Sequence, residues 1–131
     1  MIGLDTNILA RFILQDDRLQ SPKADEVMSA LTAEDPGWVG IATILELVWV
    51  LNSKGFLDRN AIGKALDQLV FQEEIVLEHA EAFRVACQLF KKGNADFANC
   101  LIASSARAAG CTRTVTFDRI AARDAGMQIL A

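Results

Sequence analysis

The sequence predicts one α/β domain over residues 1–131, built on a parallel sheet, and three observations carry that prediction. Short apolar runs alternate with amphipathic segments at helical spacing, the pattern of repeated strand–helix units. With 131 residues and 52% hydrophobic content, the chain holds one full core and is too short for two. Two of the apolar runs stop at an aspartate, Asp5 and Asp118, and in open α/β sheets ligands bind beyond the carboxyl ends of the strands.

Ile2-Gly3-Leu4 reads as a buried strand with Asp5 at its tip, followed by a helix over residues 8–14 capped by Thr6 or Asn7. Ser21-Pro22 supplies a cap with proline at the first helical position, and Ala24, Val27, Met28 and Leu31 complete a helix over residues 21–31. Asp35-Pro36-Gly37 breaks it, and residues 38–41 read as a short buried strand. Thr43-Ile44-Leu45-Glu46 has the sequence of a capping box; residues 46–52 continue as a helix apolar nearly all round, which Gly55 ends. Asp58-Arg59-Asn60 starts the next helix, residues 60–71, with Ile62, Leu66, Leu69 and Val70 at helical spacing. This helical hairpin has more apolar surface than one sheet face covers, which leaves intramolecular packing and a homodimer contact both open.

Residues 75–77 form a third strand and residues 80–91 a helix, with the lone histidine, His79, at its entrance as a surface or capping residue. Gly93-Asn94-Ala95-Asp96 is turn chemistry that leads into a helix over residues 97–109, and Gly110 follows its end. Residues 112–117 read as a fourth strand, with Phe117 at its core and Asp118 after it. A short helix over residues 119–124 and a closing strand over residues 127–130 complete the chain.

The formal charge of −4, from 17 acids and 13 bases, argues against a protein that holds nucleic acid mainly through a basic surface. Cys87, Cys100 and Cys111 are widely spaced among apolar neighbours, which predicts reduced, mostly buried thiols and neither a disulfide framework nor a zinc site. No apolar run approaches the roughly 18 residues of a membrane span, and no signal-peptide pattern opens the chain, so a cytoplasmic protein is expected. No serine or cysteine has a recognisable partner base nearby, which removes a hydrolase triad. A phosphorelay receiver would need paired acids after its first strand, and a haloacid-dehalogenase-type phosphatase a second aspartate where Asn7 stands.

Four carboxylates hold equivalent places: Asp5 and Asp118 at strand tips, and Glu46 and Asp96 in the first turns of helices after strands or turns. Each has a local role open to it as a helix cap. Alternating strands and helices nevertheless bring such tips to one edge of a parallel sheet, where several carboxylates repel one another unless a cation joins them. Setting these four aside leaves acids and bases equal in number. Oxygen-only donors favour Mg²⁺ or Mn²⁺ over zinc, and the chemistry that suits them is metal-assisted phosphodiester hydrolysis.

The segments Leu4-Asp5-Thr6-Asn7, Glu46 in its short helix, Ala95-Asp96-Phe97-Ala98-Asn99-Cys100-Leu101-Ile102-Ala103 and Thr116-Phe117-Asp118-Arg119 resemble, in order, the acidic motifs of PIN domains, specifically VapC-type toxins of type II toxin–antitoxin pairs. The resemblance covers nearly the whole chain. It implies a three-layer α/β/α sandwich with a five-stranded parallel sheet in order 3-2-1-4-5, and a Mg²⁺- or Mn²⁺-dependent endoribonuclease, usually dimeric, neutralised by a VapB-type antitoxin. It assigns catalysis to Asp5, Glu46, Asp96 and Asp118, the metal to Asp5, Asp96, Asn99 and Asp118, and support to Thr6, Asn7 and Thr116. Arg11, Arg107, Arg119 and Arg123 are the bases nearest the motifs in sequence and are expected to contact RNA phosphate.

One departure stands out. In similar sequences the position before Cys100-Leu101-Ile102-Ala103 is usually an aspartate, and here it is Asn99. An amide oxygen can ligate, yet it brings no charge and cannot act as a base. A weakened nuclease, an inactive PIN-like module that binds RNA or antitoxin, and an active-site variant of a toxin are all compatible with that residue.

Overall fold

In a computed structural model that describes residues 1–55 and 57–130, strands and helices alternate as the sequence predicts. Residue contacts divide the chain into two units, Met1–Glu78 and His79–Ala131. The first unit contains β1 (Ile2–Gly3), α1 (Thr6–Leu14), α2 (Gln20–Ala30), β2 (Gly37–Val39), α3 (Ile41–Ser53), α4 (Arg59–Phe71) and β3 (Ile75–Leu77). The second contains α5 (Ala80–Lys92), α6 (Phe97–Ala108), β4 (Val115–Thr116), α7 (Arg119–Asp124) and β5 (Gln128–Ile129).

All strand pairs are parallel. β1-β2-β3 form one sheet, with Ile2 opposite Gly37 and Gly37 opposite Ile75; β4 and β5 form another, with Thr116 opposite Ile129. Of the expected five-stranded order 3-2-1-4-5, the described residues show the neighbours 3-2-1 in one sheet and 4-5 in another. β1 is also not the buried strand expected: at the edge of its sheet Ile2 and Gly3 are exposed, and only Leu4 after it enters the core.

In the first unit α1 packs on α2 and α3, and the core is built from Leu4, Leu9, Val39, Ile44, Leu47 and Leu66. α3 buries Ile44, Leu47 and Leu51 on one side and exposes Leu45 and Trp49 on the other, which is how a helix apolar nearly all round reads at a surface. In the second unit α5 packs on α6, and Phe97 meets Phe83 and Phe90 edge-to-face, with ring centroids 5.8 and 5.7 Å apart. Gly110 takes φ +98° and closes α6: its N–H donates to the Arg107 carbonyl and that of Cys111 to Ala106. Cys87 and Cys100 are buried and Cys111 is exposed; His79 is an exposed residue before α5 with no side-chain cap bond. No helix among the described residues is long and apolar enough to cross a membrane.

The start of α2 differs from the expected Ser21 cap. Asp17 Oδ1 accepts the N–H groups of Gln20 (2.7 Å) and Leu19 (3.0 Å), while the buried Ser21 hydroxyl donates to the Arg11 carbonyl and ties α2 to α1. The backbone bonds from Gln20 and then Leu19 hold the Asp17 carboxyl below its ordinary value. A depressed folded-state value contributes stability that is complete above the ordinary carboxylate range and is lost as pH falls through the depressed value. Asp17→Ala should therefore lower the thermal midpoint at neutral pH and converge on the parent protein in acid. A gap that stays constant into strong acid would contradict this.

Candidate acidic site

α1 starts where it does because Asp5 stands before it in extended geometry. Its Oδ1 accepts the Thr6 N–H at 2.8 Å, and its carbonyl accepts from Ile8 and Leu9. The cap is thus Asp5 itself, a correction to the expected Thr6 or Asn7; Thr6 is buried and Asn7 exposed beside it.

Of the two roles open to Glu46, a capping box with Thr43 is not what the structure shows. α3 begins at Ile41, so Glu46 lies in its second turn, and Gly40 at the cap position has no side chain to offer. The Ile41 N–H instead donates to Glu78 Oε1 at 2.8 Å, a carboxylate that follows β3 on the same sheet. Released from capping, Glu46 is exposed and makes no hydrogen bond or ion pair among the described residues. Glu46 and Asp5 line a single cleft of about 420 Å³ in the first unit, together with Asn7, Arg11, Asp16 and Trp49. Arg11 is already engaged there: Nη1 donates to both Asp16 oxygens at 3.0 and 3.2 Å, and Nε donates to Gln20 at 2.9 Å. Phosphate at Arg11 would have to compete with Asp16.

In the second unit Asp96 caps α6, its Oδ1 accepting the Asn99 N–H at 2.8 Å. Asn99 is the third residue of that helix and half-buried. Asp118 caps α7 by accepting from Ile120 at 2.8 Å and Ala121 at 3.0 Å, and its own N–H donates to Thr116 Oγ1 at 3.0 Å. Thr116 thereby fixes the Asp118 backbone. Arg107 lines a separate small cleft with Arg113. Arg123 donates to both oxygens of Asp124, and that bond, with the charge beside it, raises its pKa further. Arg119 is exposed and has no partner among the described residues.

Asp5, Asp96 and Asp118 share one local design. Each caps a helix with Oδ1 and keeps Oδ2 unbonded among the described residues. Capping and ligation therefore do not compete, because a carboxylate has lone pairs for both. Free anionic oxygens with no nitrogen or sulfur among them fit a hard divalent cation such as Mg²⁺ or Mn²⁺. Within neither unit do three or more His, Cys, Asp or Glu side chains gather to hold a metal ion, among the described residues.

Several neighbours of these carboxylates escaped the sequence reading. Trp49 is three residues beyond Glu46, a spacing that puts both on one helix face, and Asp16 follows Gln15, whose left-handed backbone (φ 53°) turns the chain back toward Arg11. Phe117 was expected inside a strand; the strand ends at Thr116 and Phe117 is 81% exposed. Among known families, the PIN domain matches residues 2–126. No curated protein matches the sequence.

Proposed function

This chain belongs to the PIN domain family, whose members are generally metal-dependent nucleases, and from that membership we propose that it is a Mg²⁺- or Mn²⁺-dependent endoribonuclease of the VapC toxin type. The observation that carries the reading is the cleft shared by Asp5 and Glu46, with Glu46 free because Glu78 does the capping. In this reading Asp5, Asp96 and Asp118 would hold the ion through their free oxygens, Asn99 would add a neutral oxygen, and Glu46 would complete the catalytic acids. Such an ion would supply Lewis-acid chemistry for phosphodiester hydrolysis, the activation of a water and the stabilisation of the leaving oxygen. Thr116 holds the backbone at Asp118, while Thr6 and Asn7 directly follow Asp5. Arg107 and Arg119 contact the RNA backbone, and Arg11 and Arg123 do so after yielding their present carboxylate partners. A cytoplasmic setting, control by a VapB-type antitoxin and a homodimer belong to the same reading. The exposed Leu45, Trp49 and Phe71 of the helical hairpin support a contact with a second copy.

A panel of single-stranded and structured RNAs tests the reading. Cleavage is expected with Mg²⁺ or Mn²⁺ and none with chelator; a chain that cuts no RNA with either ion would refute it. The second reading, a binding module without turnover, is favoured by Asn99 alone, and it predicts RNA binding without cleavage.

A further inference from the structure

Resting on the reading of RNA as substrate, we propose that Phe117 is a base-stacking residue: one unpaired nucleotide lays its base on the Phe117 ring and its phosphate against Arg119, beside the Asp118 carboxylate. Phe117 is 81% exposed, an unusual position for a phenylalanine next to a strand. It lines a groove of about 680 Å³ with Arg119, Ala122, Arg123, Ile129 and Leu130. The backbone on both sides of the ring is fixed. Thr116 accepts the Leu130 N–H at 2.8 Å before it, and Asp118 caps α7 after it.

The groove has two chemical characters in contact, an apolar wall with one aromatic face and a guanidinium two residues along the chain. Among the described residues, no carboxylate lines it. Asp124 already occupies the guanidinium of Arg123, so among the described residues of the groove Arg119 is the cation left for an anion. A nucleotide has the matching pair, a flat π face and a phosphate. Single-stranded RNA is bound in this way, by stacking on aromatic side chains with basic groups along the backbone. An aliphatic partner would leave Arg119 desolvated without a counter-charge. Stacking tolerates any base, so the residue would hold the strand at Asp118 without selecting sequence.

The test is fluorescence anisotropy of the full chain in chelator with a labelled single-stranded oligoribonucleotide and with an abasic oligomer of the same length. Phe117→Ala is expected to weaken the oligoribonucleotide by about 5- to 150-fold, the range of base–aromatic stacking, and to leave the abasic oligomer unchanged. Phe117→Trp should restore binding and Phe117→Leu should not. Arg119→Ala should weaken both ligands and reduce the salt slope by about one unit. The thermal midpoint of Phe117→Ala should match the parent, since an exposed ring leaves no cavity. The proposal is overturned if Phe117→Ala binds the oligoribonucleotide as the parent does, if it weakens both ligands equally, or if leucine serves as well as an aromatic. Unchanged RNA binding with loss of an acidic amphipathic peptide would make the groove a protein-docking surface instead and equally overturn it. Failure of the parent chain to bind or cut any RNA would remove the nuclease reading itself, a result distinct from these.

Discussion

Asp5→Asn and Asp118→Asn are each expected to lower metal-dependent RNA cleavage by about 100- to 1,000-fold, the size of losing one preorganised group that stabilises developing charge. The fold should be indifferent. Asparagine ranks with aspartate as a helix cap, and its Oδ1 can keep the bonds from Thr6 at α1 and from Ile120 and Ala121 at α7. What disappears is the negative charge on the oxygen that the cap leaves free. Cleavage rates beside denaturation midpoints separate the two effects. A variant with lost activity and an unchanged midpoint supports a role in the site, whereas equal loss of both would reduce these residues to caps.

Asn99→Asp should act in the opposite direction, tightening Mn²⁺ or Mg²⁺ and raising cleavage. The position accepts the change locally, because Asn99 lies in the first turn of α6, where the helix dipole favours an anion, and only its backbone N–H is used by Asp96. A carboxylate about 4 Å from a divalent ion, screened as in bulk water, contributes ~2 kcal/mol, or roughly 30-fold in affinity. Calorimetry with each ion and a cleavage assay check both parts. If the present chain already cuts at full rate and the substitution changes nothing, Asp96 has the role and Asn99 lies outside the metal shell.

Elements whose ends depend on local chemistry were legible in the sequence. α4 starts after Asp58, α6 runs from the Asp96 cap to Gly110, and α7 follows Asp118, each because the capping residue sits beside the helix it caps. The start of α3 was not legible, since its N-terminal acceptor, Glu78, is 37 residues from Ile41 in sequence. That nonlocal bond also decided whether Glu46 was a cap. Strand extents failed for a similar reason: the ladder partners of β1, β4 and β5 lie far along the chain, and an apolar run such as residues 112–117 says nothing of how much of it pairs. Asp5, Asp96 and Asp118 stood out as candidates because each closes an apolar run or opens a helix, whereas Glu46 lies in the second turn of α3. Their companions in the cleft, Asp16 and Trp49, depend on how α1 and α3 pack.

Mn²⁺ binding by calorimetry, in the absence of RNA, tests most directly whether these carboxylates form a metal site. The account predicts that the present chain binds Mn²⁺, that Asp5→Asn and Asp118→Asn each weaken it by roughly 30-fold, and that Asn99→Asp strengthens it by a similar factor. Mn²⁺ affinity that is absent from the parent chain, or unchanged in both aspartate variants, would contradict it.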